Sequence, residues 1–486
     1  MKLFKNGVIH TLDENRIAKN IVTHNGQIIG LDKDENLVYD EIIDLKGGHL
    51  YPGFVDAHLH LIGYGQYLSR TDISPLNDKK SVLNILNTLL QKEVIIVDGY
   101  KENLSIDKND LDLISNNKPI LLRHHDFHSV TVNSVILNGL NLQSESGILR
   151  EEEAQKAIQL YTKETDDTLE NYLETAIKCL YRYGITGGHS DDLFYFNGYE
   201  STVKVFQQVL SKYLFRAHLL IHHEVLDDYL NNPNSQIQNA FLELKGVKVF
   251  YDGTLFSKTA LISKGYRNAI HNGLRVTEKF IEIIKKVRQH NLTLAIHVIG
   301  DQGLDELIEI LIKYPPQKNQ KDRIIHAPWV SEYGLNRLKT IPVSLDVQPQ
   351  FLKSDLPEAF DILNEAPPYI FPWKSMLKNG LILSFSSDAP VEVPNPLLGI
   401  LCATNRVAKD GFCYQPNEKV TRLEAIEAYT KYASVQNVEQ NRGVIKVGYL
   451  ADFTVFKEDL ELMTDEDLLK DQVLMTIIHE HIVYEN

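Results

Sequence analysis

Apolar residues recur along this chain with two different periods. In the first fifty positions they alternate with polar ones, in "KLFKNGVIHTL", "IVTHNGQIIGL" and "EIIDLKGGHLY", with Asn-Gly at the first two turns and Gly-Gly at the third. Alternation between such turns predicts short strands that bury one face. Strand-like runs return at the end, in "GVIKVGYLADFTVFKED" and "VLMTIIHEHIVYEN". Chain ends often lie close in space, so residues 1–52 and 441–486 are expected to pair as two half-sheets of one β-sandwich.

Residues 53–440 read differently. Helical patterns such as "ENYLETAIKCLYRYG", "EKFIEIIKKVRQHN" and "DQGLDELIEILIKY" alternate with apolar runs such as "GVKVFYDGT", "LTLAIHVIG", "RIIHAPWV" and "LILSFSSDAP". That alternation predicts parallel βα units, and the apolar strands suit burial on both faces. No GxGxxG or GxxxxGK fingerprint follows any of the strands, so a closed α/β barrel is preferred to a nucleotide-binding open sheet. The stretch from about 64 to 168 breaks the alternation and is expected to be an insertion folded over the barrel mouth.

Composition narrows the function. At 486 residues the chain can bury a large core, and 43% hydrophobic with 24% charged residues is a soluble globular composition. No apolar run approaches the ~18 residues of a membrane span, and the start lacks a signal peptide's apolar core, so a cytoplasmic protein with no membrane partner is expected. A formal charge of −15 without a basic run argues against nucleic acid. Cys179, Cys402 and Cys413 lack CxxC spacing, which argues against a thiolate metal site. A small-molecule substrate is the expected partner, and a homodimer is compatible with the sequence.

Polar residues at the ends of the apolar runs carry the chemistry. In "YPGFVDAHLHLIG", His58 and His60 stand two apart in a predicted strand and so project to one face. Alone, such a pair is adequately explained as a polar patch. Lys248, His297, His326 and Asp388 then follow at later strand ends, and in a barrel all those ends meet at one face. Burying so many ionisable groups together is costly unless a cation or partner compensates them, which favours a catalytic metal site. An ammonium has no lone pair for a cation. Lys248 therefore either carries carbon dioxide as a carbamate or pairs ionically with Asp252 or Asp388, and the residues alone leave both open.

The order HxH, Lys, His, His, Asp, led by "PGFVDAHLH", resembles the amidohydrolase superfamily of metal-dependent hydrolases. "VKVFYDGTLFSKTA", "LLRHHDFHSVTVNS", "SSDAPVEVPNPL" and "GVIKVGYLADFTVF" resemble its amidohydrolase-3, or YtcJ-like, branch, which includes N-substituted formamide deformylases. The resemblance implies a (β/α)₈ barrel beside a β-sandwich made from both termini. It implies that His58, His60 and Asp388 hold one divalent metal, that His297 and His326 hold a second, and that carboxylated Lys248 bridges them. Zinc suits such ligands best, with manganese, iron, cobalt or nickel accommodated. The implied reaction is hydrolysis of an amide-type C–N bond by metal-activated hydroxide, with Asp388 as general acid and base. Two departures stand out: "IIHEHIVYEN" has His-Glu where a Gly-Gly is usual, and "SSDAPVE" stands where many relatives have Gly and an aromatic.

Pocket candidates are Asp126, His128, Phe256, Trp329, Gln348, Phe351 and Arg406, each beside a strand end or in the insertion. His189, His222 and His223 are expected to support the ligands, and the histidines of "RHHDFH" to be hydrogen-bonded loop residues. Two other readings share the barrel. A mononuclear deaminase would need no strand-end lysine and would favour a Glu soon after the third histidine, where "HVIGDQG" has none. A binding protein that had lost catalysis would be marked by missing ligands, and none is missing.

Overall fold

Eight parallel strands form the centre of the structure, a computed structural model that describes residues 1–14, 17–33, 38–124, 129–161, 164–232, 239–435 and 441–486. They are β1 (Phe54–Leu59), β2 (Ile185–Ser190), β3 (Arg216–His222), β4 (Leu242–Phe250), β5 (Leu294–Val298), β6 (Asp322–His326), β7 (Val343–Val347) and β8 (Ile382–Phe385), hydrogen-bonded in that order. The ladder closes just beyond β8. The Asp388 amide donates to the His58 carbonyl at 2.8 Å, and the His60 amide donates to the Ala389 carbonyl at 2.8 Å. The seam of the barrel is thus sewn at the end where the ionisable residues collect.

Every residue of β1, β2, β3, β5, β6 and β7 is buried, as expected of strands filled inside and covered by helices outside. The helix Asp301–Lys313 shows how that cover forms. Leu304, Leu307, Ile308 and Leu311 are buried at helical spacing, with Asp301 in the first turn and Lys313 in the last, matching the helix dipole. Gly53 joins the preceding strand His49–Pro52 to β1. A Cβ there would lie 2.4 Å from Thr186 Oγ1, so the junction tolerates only glycine at this approach.

The two chain ends do not contribute one half-sheet each. N-terminal strands alone make a four-stranded sheet, in the order Gln27–Leu31, Ile21–His24, Lys2–Lys5, Glu41–Asp44. The remaining N-terminal strands complete a six-stranded sheet with the C-terminal ones, in the order His481–Glu485, Val473–Ile478, Phe453–Phe456, His49–Pro52, Val8–His10, Ile17–Ala18. Phe4, Ile21, Leu45, Leu50, Phe453 and Met475 pack into one core shared by both ends. His479 and Glu480 take φ of 51° and 61° in the last hairpin, a left-handed pair that glycine would adopt without strain.

This barrel and sandwich form one compact unit, Met1–Gly63 with Ala176–Asn486, and Tyr64–Thr175 forms another. The second unit has its own five-stranded sheet, in the order Ile148–Arg150, Ser129–Val132, Ile120–His124, Ile95–Tyr100, Thr71–Asp72. Ile120 and Leu122 enter one apolar cluster and Leu121 another, so both faces of that sheet are covered. Among the described residues no helix is long and apolar enough to cross a membrane.

Candidate metal centre

Five strand ends bring the predicted polar residues together. Lys248 Nζ lies 3.2 Å from His58 Nε2 and 3.5 Å from Asp191 Oδ2. Asp388 Oδ1 lies 3.4 Å from His58 Nε2 and 3.5 Å from His60 Nε2. The His326 ring stands edge-on to His58 at 5.8 Å and to His297 at 4.5 Å, centroid to centroid. Nitrogen or oxygen atoms of His58, His326 and Asp388 all fall within 4.8 Å of one another.

Outer partners aim the imidazoles inward. His60 Nδ1 donates to the Asp191 carbonyl at 2.9 Å, His297 Nε2 to the Gly253 carbonyl at 3.1 Å, and His326 Nδ1 to Gln348 Oε1 at 2.7 Å. Each contact engages one ring nitrogen as the donor; at His297 and His326 this frees the other as a lone pair, while His60 Nε2 faces Asp388, the arrangement that orients metal-binding histidines. Gln348 is itself held, donating to Ser386 Oγ at 2.8 Å and to the Asp346 carbonyl at 3.2 Å. His58 Nδ1 is buried without a hydrogen-bond partner.

Electrostatics agree with that orientation. Burial first, then the Lys248 charge, pushes His58 well below the ordinary imidazole range, and burial with the neighbouring His326 does the same to His297. Burial takes His326 down to about 4 despite the opposing Asp388 charge. For His60 burial acts downward, but its contact with Asp388 and the Asp192 and Asp191 charges outweigh it and hold it at about 9. Asp388 is buried, which would raise it, yet His60, His326 and Lys248 hold its carboxyl below the usual range. Three neutral imidazoles, His58, His297 and His326, beside the Asp388 carboxylate are what a divalent cation needs, and His60 must give up its proton to join them.

Backbone strain sits at the same place. His326 and Asp388 have φ of 78° and 58°, a left-handed conformation that costs a non-glycine residue about 1–3 kcal/mol. Asp56, buried beneath them, accepts from the Ser387 hydroxyl at 2.6 Å, the Ser387 amide at 3.1 Å and the His58 amide at 3.2 Å. It ties β1 to the loop that carries Asp388, and burial raises its carboxyl to about 7.

The structure revises the partner of Lys248. Asp252 faces away and accepts the amides of Leu261, Ile299 and Gly300, whereas Asp191 is the carboxylate nearest Nζ. Sequence reasoning missed Asp191 and Asp192, although "GGHSDD" ends β2 with two acids where a strand should reach the barrel face. Tyr195 was missed too; its hydroxyl donates to Asp191 Oδ2 at 3.2 Å and its ring lies 5.7 Å from that of His60.

Other candidates divide between the edge of the cluster and positions away from it. Phe351 stacks 6.0 Å from His326 and Phe256 is half-exposed. Trp329 is fully buried, edge-on to Phe360 at 6.3 Å. Arg406 is fully buried and donates to the carbonyls of Tyr414, Phe371 and Ile370 at 2.8 Å each. His222 stacks between Phe194 and His223, with ring centroids at 4.6 and 4.7 Å. His189 lies 4.8 Å from His218 inside the barrel, and His124 bonds Thr131 Oγ1 at 2.7 Å. His125, Asp126 and His128 lie outside the described residues.

A parallel barrel with histidine, lysine and aspartate gathered at its strand ends defines a class, and the comparisons agree with it. The chain belongs to the amidohydrolase family, whose sequence model, described as Amidohydrolase family, matches residues 41–484, and it is a metal-dependent hydrolase of that family. It is similar to YtcJ of Bacillus subtilis (strain 168), 31% identical with 99% of each chain covered. It is also similar to the N-substituted formamide deformylase of Arthrobacter pascens, 23% identical over 92% of this chain and 90% of that one. Among solved structures, an uncharacterized metal-dependent hydrolase from Pyrococcus horikoshii OT3 superposes with a TM-score of 0.85 at 26% identity, covering 96% of this chain and 99% of that one.

Proposed function

We propose that this hydrolase cleaves an amide-type C–N bond with a binuclear divalent-metal centre, zinc being the preferred ion. His58, His60 and Asp388 would hold one ion, His297 and His326 the other, and Lys248, as a carbamate, would bridge them. One observation carries this reading: one nitrogen each of His60, His297 and His326 is tied to a carbonyl oxygen, so the other is left for the cluster that holds Lys248 and Asp388. The burial of Lys248, 1% exposed, suits a group that is neutralised or converted rather than solvated.

Bound divalent metal supplies Lewis-acid polarisation of the scissile carbonyl and lowers the pKa of water toward about 7. The chain's own residues manage the proton. Asp388, kept ionised by its neighbours and fixed by its amide bond to the His58 carbonyl, takes the proton as water adds to the carbonyl carbon. It returns that proton to the nitrogen as the C–N bond breaks, giving a carboxylic acid and an amine. Asp191 holds His60 through its carbonyl and is itself held by the Tyr195 hydroxyl, so the pair would keep the His60 ring in its ligating position.

The metal-loaded protein should be offered N-formyl, N-acyl and cyclic amides together with amino-substituted heterocycles. Release of carboxylate and amine from an amide, lost in Asp388→Asn, supports the reading, and release of ammonia from heterocycles alone would overturn it. A one-ion centre is the second reading, favoured by the compact trio His58, His326 and Asp388 and by Asp191, whose carboxylate stands 3.5 Å from Lys248 Nζ as an ion-pair partner.

A further inference from the structure

A second group of metal-ligating side chains lies in the sandwich, away from the barrel ends. His10 Nε2 stands 3.0 Å from His49 Nδ1 and 4.0 Å from Asp459 Oδ2. Ligand atoms of the three residues fall within 4.8 Å of one another. Hydrolysis at the barrel makes no use of them.

A plain imidazole–imidazole hydrogen bond accounts for the first distance and leaves Asp459 Oδ2 outside it. Asp459 Oδ1 is fully engaged, accepting from the Tyr51 hydroxyl at 2.9 Å and the Glu461 amide at 3.0 Å. That pair of bonds turns Oδ2 toward the imidazoles without bringing it to hydrogen-bond distance of His10. Tyr51 also fixes the plane of His10, its ring stacked 4.2 Å away at 4°. Two nitrogens and a carboxylate oxygen therefore lie within 4.8 Å of one another, the nitrogens sharing one hydrogen bond that a cation would replace.

The spacing suits a cation. Around an ion with bonds of about 2.0–2.1 Å, tetrahedral neighbours sit roughly 3.4 Å apart. Opening the nitrogen pair by a few tenths of an ångström and drawing in the Asp459 carboxylate, which is 21% exposed, reaches that geometry. Two imidazoles and one carboxylate select zinc, cobalt or nickel over magnesium and calcium, which prefer all-oxygen shells. Partial exposure of His49 and Asp459 leaves a fourth position for water.

We propose that His10, His49 and Asp459 form a structural divalent-cation site that staples both ends of the chain together. The ligands come from three consecutive strands of the six-stranded sheet: His10 ends Val8–His10, His49 opens His49–Pro52, and Asp459 follows Phe453–Phe456. His49–Pro52 runs directly into β1, so the staple holds the strand that delivers His58 and His60.

The test counts zinc in the full chain after loading and dialysis against a weak chelator. A barrel-emptied variant, with His58, His60, His297, His326 and Asp388 all replaced by alanine, should keep one zinc per chain, and adding His49→Ala or Asp459→Asn should remove it. Zinc should raise the melting temperature of the barrel-emptied chain and lose that effect once His49 is replaced. His49→Gln, which preserves shape and polarity but lacks imidazole, serves if the alanine variant fails to fold. Equal zinc content with and without His49 and Asp459 would overturn the site, as would no zinc in the barrel-emptied chain. Neither result bears on the barrel centre, whose ions are counted separately by the difference from wild type.

Discussion

Replacing Asp452 with asparagine should cost about 3–5 kcal/mol of stability without touching the strand ends that carry chemistry. Asp452 precedes the C-terminal strand Phe453–Phe456, is 7% exposed, and receives the Arg216 guanidinium of β3 in a two-pronged contact, one prong at 3.0 Å. Arg442 lies 3.6 Å from the same carboxylate, and the His479 amide donates to it at 2.9 Å. Asparagine keeps one acceptor but removes the negative charge that the two buried guanidinium groups of Arg216 and Arg442 share. Breaking a buried ion pair on one side leaves an uncompensated charge, which sets the magnitude. Burial alone would raise Asp452, but Arg216 and Arg442 hold it below the ordinary carboxylate range. Its contribution is therefore present above the unfolded value near 3.9 and is lost as pH falls through the lower folded value. Urea unfolding followed by the fluorescence of Trp329 and Trp373 and by circular dichroism gives the difference at pH 7, provided the two signals coincide. A variant within about 0.5 kcal/mol of wild type at pH 7 would refute the argument, as would a gap that widens in acid.

Gln348→Ala should lower kcat/KM and metal affinity by about 10–100-fold, because it removes the acceptor that orients His326; a titration of apoprotein with zinc checks it. Arg406→Ala should lower the melting temperature markedly while KM of the folded fraction stays within about twofold, since it strips the donor from three carbonyls of which those of Ile370 and Phe371 are reached by buried bonds. Gly53→Ala should destabilise by about 1–3 kcal/mol by driving a Cβ into Thr186, and Thr186→Ala should recover part of that loss in calorimetry.

Much of the centre is readable before folding because each ligand sits where an apolar run stops, and parallel strands in a barrel must end on a common face. His58, Lys248, His297, His326 and Asp388 follow that rule, and the structure places them within one cluster. Asp191 escapes it because a pair of acids after a strand reads as a solvated turn, and only the fold shows both carboxylates fully buried. Asp252 misleads in the opposite direction: it is close to Lys248 in sequence, but its carboxylate serves three amides that turn the chain. Arg406 and Trp329 lie near strand ends in sequence, and nothing in periodicity tells an inward loop residue from one facing substrate. The sandwich was visible as strands at both ends. Its partition into a four-stranded and a six-stranded sheet depends on long-range pairing such as Phe456 with His49, which local pattern does not encode.

The central claim is that the barrel residues hold the catalytic metal and that Lys248 bridges it. The most direct measurement is elemental analysis of zinc-loaded protein, in a His49→Ala background so that only barrel ions are counted, for wild-type Lys248 and for Lys248→Ala. Two ions per chain are predicted with the lysine, together with a carbamate carbon in spectra of protein supplied with labelled bicarbonate. Metal and hydrolysis should be lost together in Lys248→Ala, with recovery when a short carboxylic acid is added to replace the missing oxygens. Unchanged zinc content and unchanged activity in Lys248→Ala would contradict the account.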